Sequence, residues 1–270
     1  MRKPLFVSYL ISCMLFLVAG RAHAQTYYVA LGDSLAAGYQ PLPSGGSEVH
    51  HGYAEDLAPK LGMTLVNLGC PGETTASMIN GGECDIYTSG SQLSDAEAFL
   101  KANASNIGLI TIDIGVNDVL SCVNSGGSID ATCVVQQQAQ VTANLQTILT
   151  AVRNAGGTNL RIVAMNYYDP FLAEWLTGTS GQLEAVATVV VLQEFNAAEA
   201  GVYLLNGSSV VDVASAFQTL NVTPELYNNQ LVPKDVVQIC QNTWMCSLGN
   251  IHPNDAGYQI IANAIYPLTQ

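Results

Sequence analysis

Residues 27–38 read YYVALGDSLAAG, and the interpretation of the whole chain depends on this stretch. Its first half is a short run of aromatic and β-branched residues, which predicts a buried strand over 27–33. The run breaks at Gly32 and presents Ser34 among small neighbours. Open α/β sheets bind ligands at the carboxyl ends of their strands, so Ser34 is a candidate nucleophile. The alternative is that Asp33 or Ser34 only caps a following helix.

The amino terminus has the features of a secretory signal peptide. Arg2 and Lys3 precede an apolar run, and a small-x-small cleavage motif ends at Ala24. We therefore expect residues 1–24 to be removed and the mature chain to begin at Gln25. No later run is long and apolar enough to cross a bilayer. The sequence thus predicts a secreted protein, extracellular or periplasmic, without a stable membrane anchor.

Composition disfavours nucleic-acid and membrane-surface partners. The 270-residue chain has a formal charge of −13, and loss of three basic residues with the signal peptide lowers it to −16. Such a surface repels phosphate backbones and anionic lipid headgroups. The length suits one α/β domain over 25–270 and does not require two.

Six cysteines remain after the signal peptide. They fall into couples that are close in sequence, and we predict that each couple pairs across a loop: Cys70–Cys84, Cys122–Cys133 and Cys240–Cys246. A metal cluster is the competing interpretation. No Cys-x-x-Cys spacing is present, which disfavours a zinc site.

Strand and helix patterns alternate along the chain. The patterns predict strands over 27–33, 64–68, 108–114, 160–165 and 210–213, helices over 53–61, 132–155 and 182–206, and a last helix capped by Asn254. This alternation predicts a parallel sheet with helices on both faces. Each candidate motif follows a strand, so we expect the motifs to meet at one edge of the sheet.

A serine nucleophile needs a general base within hydrogen-bond reach. The expected mature chain has three histidines. His50 and His51 are adjacent in a glycine-rich loop, where a solvated turn is favoured over a metal site with Glu48. His252 precedes Pro253 and the last predicted helix, and by elimination it is the candidate base.

Two further residues could stabilise an oxyanion. Gly72 lies in a Pro-Gly turn after the second predicted strand and can offer its backbone N–H. Asn117 follows the third predicted strand and can offer a side-chain amide. Each has an ordinary alternative as a turn residue, and their joint occurrence with Ser34 favours the oxyanion role.

Four blocks, in order, resemble the SGNH/GDSL family of hydrolases: GDSL at 32–35, NLGCPG at 67–72, GVND at 115–118 and HP at 252–253. The resemblance implies a three-layer α/β/α sandwich with a central parallel, flavodoxin-like sheet of about five strands. It implies a Ser34–His252 acyl-enzyme mechanism with an oxyanion hole formed by Ser34, Gly72 and Asn117. No metal or organic cofactor is implied. The Gly-x-Ser-x-Gly elbow of α/β-hydrolases is not matched.

One position departs from the family pattern. Members commonly carry an aspartate three residues before the histidine, and this chain has Gly249 there. Asp169, Asp212 and Asp255 are the alternative carboxylates. We expect instead that the Gly249 main-chain carbonyl accepts the Nδ1 hydrogen bond of His252, which would leave a Ser-His dyad.

The expected function is that of a secreted, monomeric serine esterase or lipase acting on a small-molecule, lipid or carbohydrate ester. Acyl transfer through the same intermediate is one alternative, and a non-catalytic carbohydrate-binding module on the same fold is another. The acyl chain length and leaving group are not fixed by the sequence. The aromatic residues of 167–175 could line an acyl site, although core packing explains them equally well.

Overall fold

The five-stranded sheet is parallel throughout and has the predicted flavodoxin-like topology. The computed structural model describes residues 26–123 and 129–270, so the predicted signal peptide lies outside the described residues. The strands are β1 (Tyr27–Gly32), β2 (Thr64–Asn67), β3 (Ile107–Asp113), β4 (Ile162–Met165) and β5 (Ser209–Val211). Their order across the sheet is β2-β1-β3-β4-β5. The predicted fold class is confirmed.

Helices cover the sheet in two groups, which complete a three-layer sandwich. They are α1 (Tyr53–Leu61), α2 (Thr75–Asn80), α3 (Gln92–Asn103), α4 (Val116–Leu120), α5 (Ala131–Gly156), α6 (Thr179–Leu205), α7 (Val213–Ala216), α8 (Lys234–Asn242), α9 (Met245–Leu248) and α10 (Asp255–Ile265). Helix α1 packs on α10, and α5 packs on both α3 and α6. Within the described part of the chain, no helix combines the length and hydropathy that a bilayer span requires.

The central strands are apolar because both faces of the sheet are covered. Residues 28–32 of β1 and 109–113 of β3 are buried, and so is all of β4. Strands buried on both faces form continuous apolar runs rather than alternating ones. The same burial means that a polar side chain at the end of a strand must find a partner inside the protein.

Three disulfides join the couples that the sequence predicted: Cys70–Cys84, Cys122–Cys133 and Cys240–Cys246. The first closes the segment after β2, the second ties α4 to α5, and the third ties α8 to α9. The first two lie in the segments that follow β2 and β3, and the third lies in the helices that precede His252. They cross-link the connections that carry the candidate site residues.

Candidate active site

The turn that carries Ser34 begins where β1 meets β3. Gly32 has a φ of +138°, and a Cβ there would collide with the Asp113 carbonyl oxygen. Glycine is therefore required at this position. The Gln92 side chain accepts from the Gly32 N–H at 2.7 Å and donates to the Gly32 carbonyl at 2.9 Å. These contacts fix the end of β1 immediately before Ser34.

Two buried aspartates stabilise the Ser34 turn through hydrogen bonds to its backbone. Asp33 accepts from the Leu35 N–H at 2.9 Å and from the Tyr167 hydroxyl at 3.0 Å. Asp113 accepts from the Ala36 N–H at 3.1 Å. Burial raises the pKa of Asp33 to about 6, and burial with the neighbouring Asp33 charge raises that of Asp113 well above its ordinary value. Asp33 thus stabilises a turn, because no helix begins directly after it.

Ser34 and His252 lie within hydrogen-bond distance although 218 positions separate them. His252 Nε2 is 2.7 Å from Ser34 Oγ. Both residues line one cleft together with Asn117, which lies in the first turn of α4. A serine hydroxyl in this position can transfer its proton directly to the imidazole as it attacks a carbonyl.

The ring of His252 is held by a side-chain amide. Its Nδ1 lies 2.7 Å from Asn250 Oδ1, and the same oxygen accepts from the His252 backbone N–H at 3.1 Å. Only an oxygen can accept from that backbone N–H, which identifies the amide orientation. Nδ1 therefore carries the hydrogen, and Nε2 is free to accept the serine proton.

The prediction that the Gly249 carbonyl orients His252 is wrong, because Asn250 Oδ1 occupies that position. Gly249 has a φ of +62° and ends α9, with its N–H donating to the Met245 carbonyl at 3.0 Å. The Asn250 side chain then turns back to the backbone two residues on, as in an Asx turn. An Asn-x-His sequence before a helix is the signal that could have identified this residue.

The alternative carboxylates are engaged elsewhere. Asp169 accepts from the Phe171 N–H at 2.9 Å, and Asp255 accepts from the Gln40 amide at 2.6 Å. Asp212 caps α7. Among the described residues none of the three contacts His252. Burial lowers the pKa of His252 to about 4, so the imidazole is neutral at physiological pH.

Tyr39 covers the other side of the histidine. The two ring centroids are 4.4 Å apart, with a 45° angle between the planes. The Tyr39 N–H donates to the Ser34 carbonyl at 3.0 Å, so the turn itself positions this ring. An aromatic face at this distance attracts a cation, which includes a protonated imidazole.

The two predicted oxyanion residues lie in adjacent turns. Asn117 donates one amide hydrogen to the Glu73 carbonyl at 2.9 Å and keeps the other available in the cleft. Gly72 has a φ of +86° in the turn after Cys70, whose N–H donates to the Gly32 carbonyl at 3.1 Å. Gly72 is not among the residues that line the cleft with Ser34.

The other two histidines in the described part of the chain, His50 and His51, are exposed and lie outside the cleft. His50 faces Glu55 at 3.6 Å, and His51 faces Glu48 at 3.8 Å. Their backbone N–H groups donate to Ala37 and Gly38, so this loop packs against the Ser34 turn. The described residues contain no group of three His, Cys, Asp or Glu side chains that could hold a metal ion.

Sequence reasoning missed four residues that shape the site: Tyr39, Gln92, Asp113 and Asn250. Asp113 carried a usable signal, because it is a charged residue at the end of a buried apolar strand. Gln92 reaches the site only through tertiary packing, and Tyr39 reaches it through its backbone contact with the Ser34 turn. Their positions in the sequence carry no comparable signal.

Solved structures with the same fold include several lipolytic enzymes. An extracellular lipase from Streptomyces rimosus is 19% identical with a TM-score of 0.55, covering 90% of this chain and 97% of its own. Phospholipase A1 from Streptomyces albidoflavus is 18% identical with a TM-score of 0.54, covering 91% and 98%. An acetylxylan esterase from Geobacillus stearothermophilus, solved as a catalytic mutant, is 16% identical with a TM-score of 0.51, covering 91% and 95%.

These identities are low, so the structural likeness establishes the fold alone. No curated protein matches the sequence significantly. The family model described as GDSL-like Lipase/Acylhydrolase matches residues 30–260, which include Ser34, Asn117 and His252. This match covers most of the chain, from before Ser34 to beyond His252. The chain therefore belongs to the GDSL-like lipase/acylhydrolase family.

Proposed function

We propose that the protein is a secreted serine esterase that hydrolyses carboxylic esters through an acyl-enzyme intermediate. The observation that carries the proposal is the 2.7 Å contact between Ser34 Oγ and His252 Nε2 at the carboxyl edge of the sheet. The three disulfides support export, because such bonds persist in oxidising compartments. We expect a monomer formed by one domain over 25–270.

In the first step, Ser34 Oγ attacks the ester carbonyl carbon while its proton moves to His252 Nε2. The carbonyl oxygen becomes an oxyanion, for which the donors are the Ser34 N–H, the Gly72 N–H and the Asn117 amide. The protonated histidine then gives its proton to the leaving alcohol. Water, activated by the same imidazole, hydrolyses the acyl-enzyme and restores Ser34.

The imidazolium formed in this step has no carboxylate partner among the described residues. Asn250 Oδ1 accepts its Nδ1 hydrogen, and the Tyr39 ring lies against its face. A neutral acceptor fixes the tautomer as a triad aspartate does, but stabilises the cation less. In the proposed enzyme the base is therefore a neutral imidazole of low pKa, and no carboxylate stabilises its protonated form.

The assignment is tested by active-site labelling. A fluorophosphonate should modify Ser34, as located by peptide mass spectrometry, and abolish hydrolysis of p-nitrophenyl esters. Ser34→Ala should be neither labelled nor active, whereas Ser47→Ala should behave as wild type, because Ser47 is exposed in a short two-stranded hairpin formed by Gln40–Pro41 and Ser47–Glu48. Modification at another residue, or retained activity in Ser34→Ala, would overturn the proposal.

A further inference from the structure

An apolar cavity lies directly beside the catalytic cleft. It has a volume of about 80 Å³ and lies between α4, α6 and the segment that follows β4. On the measure by which one water needs about 10–15 Å³, this space holds about six methylene-sized groups. Its walls include Val119, Leu120, Val191 and Phe195, none of which lines the cleft.

The cavity and the cleft share four lining residues, namely Val116, Tyr168, Pro170 and Ile251. Val116 immediately precedes Asn117 in the chain, and Ile251 immediately precedes His252. The Tyr168 hydroxyl donates to the Ile251 carbonyl at 2.6 Å and holds this boundary together. A carbonyl carbon placed at Ser34 would therefore have the cavity within reach of its acyl chain.

The chemistry of the wall suits an aliphatic chain. Apart from Tyr168, its polar members are Asp169 and Thr188. The Thr188 hydroxyl donates to the Ala185 carbonyl, and Asp169 accepts from the Phe171 N–H. No lysine, arginine or histidine contributes to the wall. A sugar or a charged acyl group would find few partners there, whereas methylene groups would lose water-exposed area on entering.

We propose that this cavity binds the acyl chain of the substrate and makes the enzyme selective for esters of aliphatic acids of about six to ten carbons. The assignment rests on the proposed ester hydrolysis and names the substrate class for the same site. An acetyl group would leave the cavity empty. Each additional methylene that enters it should raise kcat/KM roughly fourfold, because burial of one methylene contributes about 0.8 kcal/mol.

The test compares kcat/KM for p-nitrophenyl acetate, butanoate, hexanoate, octanoate and dodecanoate. For the wild type we expect a rise from acetate to octanoate of up to a few thousandfold, because octanoate adds six methylenes at roughly fourfold each. Val191→Phe fills the cavity and should remove most of that rise, so that the ratio of octanoate to acetate kcat/KM falls. Val190→Phe is the matched control, because Val190 is the adjacent residue on α6, is 52% exposed and does not line the cavity.

The ratio of octanoate to acetate activity does not depend on the folded fraction of a variant, which keeps the comparison valid for less stable proteins. Leu120→Phe narrows the same cavity from α4 and should give the same result if Val191→Phe does not fold. A flat wild-type profile, or an unchanged ratio in both variants, would overturn the cavity assignment and leave Ser34-dependent ester hydrolysis intact. Folded protein that hydrolyses none of the esters would overturn the proposed function and this assignment together.

Discussion

Asn250 orients His252 with one oxygen that accepts two hydrogen bonds, from Nδ1 and from the backbone N–H of the same histidine. Both contacts are local, so the orientation of the ring does not depend on a distant loop. A carboxylate would raise the pKa of the histidine, whereas here burial alone acts on it and lowers the pKa to about 4. At the residue scale, the site favours a neutral base that remains unprotonated in mild acid.

Tyr39 should contribute to catalysis through its ring rather than its hydroxyl. Tyr39→Phe keeps an aromatic face 4.4 Å from the imidazole and should retain wild-type kcat. Tyr39→Leu loses the attraction of that face for the imidazolium, and kcat should fall by roughly two- to thirtyfold, the range given by about 0.5–2 kcal/mol. The measurement is kcat for p-nitrophenyl butanoate at saturation. An equal loss in both variants would instead assign the effect to the hydroxyl.

The limits of sequence reasoning at this scale follow from distance along the chain. Ser34 and His252 could be predicted because each lies next to a recognisable strand end or helix start. Asn250 is only two residues from His252, but the family pattern places the orienting residue at position 249, which is glycine in this chain. Gln92 holds Gly32 from 60 positions away, and only the folded chain brings the two together.

At the scale of the elements, the parallel strands could be predicted because continuous burial makes each one an uninterrupted apolar run. Helix α3 was missed because its apolar residues give only a weak stripe, although Ser91 caps it. The hairpin of Pro224–Tyr227 and Gln230–Pro233 was also missed. Its turn residues, Asn228 and Asn229, both have positive φ, which is the signature of a tight hairpin turn.

The elements also explain why the site forms where it does. The Ser34 turn follows β1, Asn117 is the second residue of α4 shortly after β3, and His252 precedes α10. All three therefore lie at the carboxyl edge of the sheet, as the alternation of strands and helices predicted. The acyl cavity lies between α4 and α6, and its shape depends on side chains that no local pattern describes.

At the scale of the whole molecule, buried carboxyls should make the protein more stable in mild acid. Burial raises the pKa of Asp33 and Asp235 to about 6 and that of Asp169 to about 7, and it also raises those of Asp113 and Glu199. Between pH 4 and 7 the folded state therefore binds more protons than the unfolded state. The free energy of unfolding must then fall as pH rises through this range.

We expect the Tm at pH 5.5 to exceed the Tm at pH 8 by at least about 4 °C, as measured by thermal melts at constant ionic strength. The lowered pKa of His252 opposes this trend below pH 6.5. Its effect is that of a single group, whereas the five carboxyls named above all act in the other direction. Asp169→Asn removes one of the raised groups and should reduce the difference. A Tm that rises from pH 5.5 to pH 8 would contradict the account.

The central claim is that Ser34 and His252 act as a dyad whose histidine is oriented by a neutral amide, and the pH dependence of kcat/KM tests it most directly. The acidic limb of the wild-type profile should lie near pH 4. In Asn250→Asp a carboxylate replaces the amide beside Nδ1, so the limb should move to higher pH by about one unit or more. Asp169→Asn, Asp212→Asn and Asp255→Asn should keep kcat/KM for acetate near the wild-type value. A wild-type limb near pH 6.5 that Asn250→Asp does not move, or a loss on the order of ten-thousandfold in one of the three aspartate variants, would contradict the claim.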